Sequence, residues 1–262
     1  MKSILAVGCA ILAGSLLADG GASEEVVQGR NELGVLAVTT TTKNTIVPIA
    51  FTDLNGDGAL KIADFVKTQN LKAGDQVMVF TDRGNYETWQ LTGADGSNKT
   101  WEKMPSISLD AEGKQSQSAG NEAVDVTKAV GSGVWLILGD DRAASNPVTF
   151  YLNGKPVSSK ITTTQAGKWN LLGNPNETGS FSGFTPVVGD QIAIPVDNGF
   201  RTYRCRVKVK GSAPLWFYET YTSDGSGKAT ATKVYEAPSV DAAKGLWYYT
   251  QVSKTINWNS NN

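Results

Sequence analysis

The sequence predicts an all-β protein built from two tandem, related β-sandwich or barrel-like repeats, with one short helix after an acidic loop. Three observations carry that prediction. Short β-branched and aromatic runs closed by Gly, Asn or Asp recur along the 262 residues, the pattern of strands separated by tight turns. Segments also recur in order. Val38-Thr39-Thr40-Thr41 returns 123 residues later as Ile161-Thr162-Thr163-Thr164, Gly74-Asp75-Gln76 returns 115 later as Gly189-Asp190-Gln191, and Gly133-Val134-Trp135 returns 112 later as Gly245-Leu246-Trp247. Thr100-Trp101 likewise corresponds to Leu215-Trp216, 115 residues on. The third observation is the drop from 123 to 115, which falls in the acidic stretch Asp53 to Asp64 and gives the first repeat an insertion that the second lacks.

The elements follow in order. Met1-Lys2, the apolar run Ile4 to Leu17 and the small residues Ala18 to Ser23 have the layout of an export signal, with cleavage expected after Ala18 or Ala22. Residues 1–22 are therefore set apart, and the run is shorter than the roughly 20 residues a membrane-spanning helix needs. Cys9 lies inside this segment, and because the apolar run continues past it no lipid anchor is expected there. Removing the segment leaves Cys205 alone, so no internal disulfide can form. Stability then has to come from a packed core, from duplication or from a bound ion, and a 40% apolar composition is sufficient for a core.

Repeat one is expected over residues 31–150 and repeat two over 151–262. Strands are expected at Val77 to Phe80, Glu87 to Leu91, Val134 to Leu138, Val148 to Leu152 and Gln191 to Val196. Asn55-Gly56, Asp95-Gly96, Asn153-Gly154 and Asp224-Gly225 supply the positive-φ residues of hairpin turns. Ile62, Phe65 and Val66 have helical spacing and place the short helix over Ile62 to Thr68.

The acidic loop carries oxygen ligands at calcium spacing. A twelve-residue loop holds the ion from positions 1, 3, 5, 7 and 12, with Gly at 6 for the sharp turn. Those positions are Asp53, Asn55, Asp57, Ala59 through its carbonyl, and Asp64, with Gly58 in place and Leu60 as the apolar tether. The competing reading is an Asx-rich turn whose side chains cap their own backbone. Residues 53–66 resemble a single dockerin-type, EF-hand-like calcium loop, which implies a structural calcium ion. A dockerin has two such loops in tandem, so cohesin docking is not implied. The strand-like Ile46 to Phe51 before the loop also excludes a full EF-hand.

Absent histidine removes the Ser-His-Asp and Cys-His arrangements and every imidazole zinc site. Carboxylate pairs remain, Asp140-Asp141 and Glu24-Glu25, but the first sits in a Gly-Asp-Asp-Arg turn and the second beside the export signal. Neither has the apolar surroundings of a general acid, so no enzyme is expected. The net charge of −1 offers no attraction for nucleic acid.

Seven tryptophans are distributed over both repeats. Trp101, Trp135, Trp216 and Trp247 hold corresponding positions and are assigned to the cores, while Trp89, Trp169 and Trp258 are less constrained. Arg201 to Lys210 alternates at period two, so Tyr203, Cys205, Val207 and Val209 are expected to face inward. Arg204, Arg206, Lys208 and Lys210 then form a basic stripe. That stripe protects an edge strand from aggregation, or it docks an anionic polysaccharide or an acidic chain. Phe217 and Tyr221 are the aromatics best placed for a glycan platform.

The chain is also loosely similar to uncharacterised secreted β-repeat proteins of Gram-negative bacteria, through Trp169 to Pro175 and Leu71 to Asp75. The resemblance implies no activity. The expectation is an exported, non-enzymatic protein, secreted, at the cell surface or in the periplasm. It would act by binding or assembly on a surface protein, a polysaccharide or itself, with calcium as a structural ion. The alternative is a carbohydrate-binding module using exposed aromatics.

Overall fold

Alternation of side chains sets the faces of the strands. The computed structural model describes residues 34–51, 60–61, 70–80, 86–93, 100–105, 107–109, 115–117, 127–128, 130–196, 199–223 and 229–259. Within β1 (Gly34–Thr40), Leu36, Val38 and Thr40 are buried while Val35, Ala37 and Thr39 are exposed. This is the period of two that a half-buried strand requires. β1 pairs antiparallel along its whole length with β11 (Val148–Gly154).

A five-stranded antiparallel sheet follows, in the spatial order β2 (Asn44–Pro48), β10 (Gly133–Ile137), β4 (Gln76–Phe80), β5 (Tyr86–Thr92) and β6 (Thr100–Lys103). Two short ribbons belong to the same stretch of chain. They are β3 (Leu60–Lys61) with β9 (Thr127–Lys128), and β7 (Ile107–Leu109) with β8 (Gln115–Gln117). The inner face of this sheet carries Val77, Val79, Trp89, Leu91, Val134 and Leu136, which β1 and β11 cover with Leu36, Val38 and Phe150.

The second sheet has six strands in the order β13 (Lys168–Gly173), β20 (Gly245–Thr250), β15 (Gln191–Val196), β16 (Gly199–Val207), β17 (Pro214–Ser223) and β18 (Ala229–Val234). A ribbon of β12 (Ile161–Thr163) and β21 (Thr255–Asn257), and another of β14 (Ser180–Phe181) and β19 (Val240–Asp241), accompany it. Its core holds Ile192, Tyr203, Cys205, Trp216, Leu246 and Tyr248, closed by Phe181, Phe184 and Trp258. The first five strands of each sheet enter in the same relative order: a hairpin of three sequential strands, flanked by a late strand that pairs outward with an early one.

Fully buried Trp258 fastens the polar tail. Its Nε1 donates to Thr162 Oγ1 at 2.9 Å, and that hydroxyl donates to the Val130 carbonyl at 2.9 Å. Phe181 packs 4.8 Å from its ring. Burial of so large an aromatic contributes about 2–3 kcal/mol, and its one polar atom is satisfied.

The all-β class holds, with several corrections in detail. The only helix among the described residues is the single turn α1 (Arg142–Ser145); the helix expected over Ile62 to Thr68 lies outside them. Asn153-Gly154 makes no turn, because both residues continue β11 opposite Val35 and Gly34. β11 runs continuously through residues 150 and 151. Ile161 and Thr163 are exposed whereas Thr162 and Thr164 are buried, the reverse of Val38 and Thr40 aligned letter by letter. A shift of one residue brings the buried faces into agreement, as period two demands.

Candidate functional site

The two sheets meet through their outer faces, along β2 and β10 of one and β13 and β20 of the other. Small residues permit the approach. A Cβ on Gly245 would lie 2.0 Å from Ile46 Cγ2, and one on Gly173 would lie 2.6 Å from Pro48 Cβ. Gly173 donates its N–H to the Gly131 carbonyl at 3.0 Å, and Gly131 donates to Ile49 at 2.8 Å, so the backbones are tied as well.

At this junction the aromatics gather. Trp135 opposes Met78 in one ladder and Trp247 opposes Ala193 in the other, which is the same place in each sheet. The two indoles meet with centroids 6.4 Å apart. Phe80 and Trp169 stand edge-on to Trp247 at 5.2 and 6.5 Å, Tyr249 lies 5.6 Å from Trp169, and Phe200 lies 6.0 Å from Trp135. Trp135 and Trp247, expected in the cores, are half-buried on the opposite faces, where the neighbouring sheet covers them. Trp101 is half-buried but packs against the first core as expected, and Trp216 is buried in the second, with Nε1 donating to the Phe184 carbonyl at 3.0 Å. The less constrained Trp89 and Trp258 are the fully buried ones, and Trp169 remains 38% exposed.

Two clefts flank the junction. The first, about 110 Å³, is lined by Phe80, Trp169, Gln165, Asn170, Thr163, Gly133 and Leu171, and among the described residues no charged side chain lines it. The second, about 230 Å³, uses Pro195 where the first has Phe80, Asn44 where it has Trp169, Ile46 where it has Leu171 and Gly245 where it has Gly133. Each exchange links residues at the same ladder position. The second cleft replaces aromatics by Thr41, Asn44, Asp241 and Lys244.

A buried carboxylate recurs below each sheet, and sequence reasoning assigned it no role. Asp75 has no exposed surface and accepts the N–H of Lys72 and of Gly139, both at 2.9 Å, and both terminal nitrogens of Arg142. Asp190 is equally enclosed. It accepts the Gln251 N–H at 2.9 Å, the Tyr248 hydroxyl at 3.1 Å and the Lys254 ammonium, which also donates to the Thr185 carbonyl and Tyr248 Oη. The signal was present in the chain: a cation stands seven residues after Trp135 and again after Trp247. Burial opposes the Arg142 charge, but Asp75 and Asp140 outweigh it and raise its pKa. Burial, then the Asp190 charge, pushes the Cys205 thiol up to about 11, and the same two causes lift Tyr248 well above the usual phenol range. Arg cannot exchange protons at ordinary pH, and the acids' lone pairs are filled, by two backbone N–H groups and Arg142 at Asp75 and by one backbone N–H, the Tyr248 hydroxyl and Lys254 at Asp190. These clusters therefore clasp the turn before β4 or β15 to the segment after β10 or β20.

The remaining sequence candidates divide. Asp53, Asn55, Asp57, Ala59 and Asp64, the calcium-spaced set, lie outside the described residues, as do Glu24-Glu25. Among the described residues no group of three or more carboxylate or thiol side chains is placed to hold a metal ion. Asp140 and Asp141 are exposed and paired with Arg142 and Lys43. The basic stripe is shorter than expected. Arg204 and Arg206 lie on β16, but the strand ends at Val207, and Lys208 and Lys210 enter a turn closed by Ser212 donating to the Val209 carbonyl. Val207 and Val209 are consequently exposed, at 41% and 65%. β16 is also interior, between β15 and β17, and not an edge. Phe217 is buried beneath Arg206 and Lys233, whereas Tyr221 is 67% exposed.

No family model, curated protein or solved structure matches this chain. Among the described residues no helix is long and apolar enough to cross a membrane.

Proposed function

We propose that the protein is an exported, non-enzymatic binding protein whose ligand is an uncharged carbohydrate taken at the aromatic cleft of the sheet junction. One observation carries this reading: Trp169 remains 38% exposed although Trp247 and Tyr249 hold its ring in place. A sugar ring has an apolar C–H face that matches an indole face, and hydroxyls that need polar neighbours. Thr163, Gln165 and Asn170 supply such neighbours beside Trp169 and Phe80. The cleft is much smaller than the roughly 300 Å³ of pockets that enclose ligands, so recognition would rest on stacking at the rim. Among the described residues the lining is uncharged, which favours a neutral sugar, because a buried charge without a partner is costly.

We further infer that the scaffold is a duplicated unit. The matching strand order, the paired clefts and the repeated acid–base clasp support it. Contacts between counterpart residues, Trp135 with Trp247 and Pro48 with Gly173, are those of an isologous interface about a local two-fold. The acidic loop is assigned a structural calcium ion on its residue pattern alone.

Tryptophan fluorescence and calorimetry against neutral gluco-, xylo-, manno- and chito-oligosaccharides test the reading. A member of the panel should shift the emission, and Trp169→Ala should weaken its binding about tenfold while the protein remains folded at the assay temperature. No shift with any member, or wild-type binding by Trp169→Ala, would overturn it. A mass that rises with concentration, without any glycan response, would point to assembly instead.

A further inference from the structure

We propose that the outer face of β16, β17 and β18 is a second binding site, for an anionic polysaccharide carrying sulfate or carboxylate groups. The site is separate from the junction cleft and does not depend on it. Register brings together residues that are distant in the chain. Arg204 opposes Phe217, Arg206 opposes Leu215, and Glu219 opposes Lys233, so all share one face. The Arg206 guanidinium lies 4.7 Å from the Phe217 ring centre and 5.7 Å from that of Tyr235, and one of its terminal nitrogens donates to Tyr235 Oη. Lys233 stands 5.7 Å from Phe217, and Lys208 stands 4.9 Å from Tyr235.

Three cations thus surround two rings in a protein whose net charge is −1. The carboxylate on this face, Glu219, is engaged by Arg204 at 3.7 Å and by the Tyr221 hydroxyl at 3.2 Å. Like charges gathered around the same rings repel, and a bound anion relieves that repulsion. Arg206 Nε is buried without a partner, while stacking holds its planar fork in a fixed orientation for an oxyanion.

The other sheet supplies an internal control. At the same ladder positions it has Gln90 opposite Glu102 and Thr92 opposite Thr100. Thr92 donates to Glu102 at 2.9 Å and lies 3.1 Å from the Thr100 hydroxyl. The strand arrangement is therefore satisfied by neutral and acidic side chains, and the cations are not needed to build it.

The occupant follows from the mixture of groups. Tyr221 and Tyr235 are 67% and 36% exposed and alternate with the cations across the face. Exposed rings interleaved with positive charge match a chain that alternates apolar sugar faces with anionic substituents. Such a chain is a sulfated or uronate polysaccharide.

The test uses the intact protein against heparin and dextran sulfate, polygalacturonate and alginate, dextran as the neutral control, and polyglutamate as an acidic peptide. Sulfated or uronate chains should bind, dextran should not, and binding should weaken steeply from about 50 to about 300 mM salt. Which of the two polysaccharide classes binds assigns the anion. Arg206→Gln combined with Lys233→Gln should reduce affinity at least about tenfold, with Arg206→Lys falling between. Should Arg206→Gln disturb folding, Lys208→Gln with Lys233→Gln, both at exposed positions, is expected to give a loss of similar size. Lys43→Gln, a cation of the first sheet's rim, should leave binding unchanged. Wild-type affinity in the double variants, an equal loss in Lys43→Gln, or binding of polyglutamate alone would overturn the proposal.

Discussion

Trp135 and Trp247 occupy the same position in two different sheets and face each other, with ring centroids 6.4 Å apart and planes inclined by 39°. Because each lies on the side of its sheet away from its own core, the pair belongs to the junction and not to either half. Glycines make the approach possible, and the junction is correspondingly sensitive to added volume.

Gly245→Ala should destabilise the protein by about 1–3 kcal/mol, the usual cost of overpacking. The new Cβ would strike Ile46, so Ile46→Ala in the same chain should recover part of the loss. Urea denaturation of the two single variants and the double variant measures the coupling.

Lys254→Met leaves Asp190 buried without its cation, and Arg142→Met does the same to Asp75. Breaking a buried pair from one side costs about 3–5 kcal/mol. Either variant should show that loss in chemical denaturation, and the two losses should add, since the clasps share no residue.

Cys205 predicts sensitivity to alkali. Its folded pKa, raised to about 11, lies above the unfolded value of 9.0, so the folded state holds the proton longer. The resulting stability is complete below about pH 9 and is lost as pH rises toward 11, amounting to roughly 2–3 kcal/mol over the two pH units. Cys205→Ala should flatten the dependence of unfolding free energy on pH between those values, leaving the part that comes from Tyr248.

The acidic loop predicts a calcium response. Calcium should raise the melting temperature, chelator should remove the effect, magnesium should not reproduce it, and Asp57→Ala should abolish it. Differential scanning calorimetry of wild type and variant in the three conditions checks this outcome.

Strand positions were legible because period two and turn residues are local signals: Val77 to Phe80 and Gln191 to Val196 lie within β4 and β15. The Gly-Asp-Gln pair was also visible, and it marks the two buried acids. Their partners were not, since Arg142 lies 67 residues from Asp75 and Lys254 lies 64 from Asp190. Likewise, the alternation around Arg204 was readable, but the end of β16 at Val207 depends on the turn that follows it.

By itself the sequence determined the all-β class, the recurring segments and the acid in each turn, because these rest on residue type and short spacing. Tertiary structure alone decided that Trp135 and Trp247 leave the cores to meet, that Trp169 stays exposed over a cleft, and that Arg206 stacks on Phe217 and Tyr235. Periodicity shows which side chains share a face of a strand. What covers that face is set by the packing of distant segments, where close approach and charge pairing are settled together.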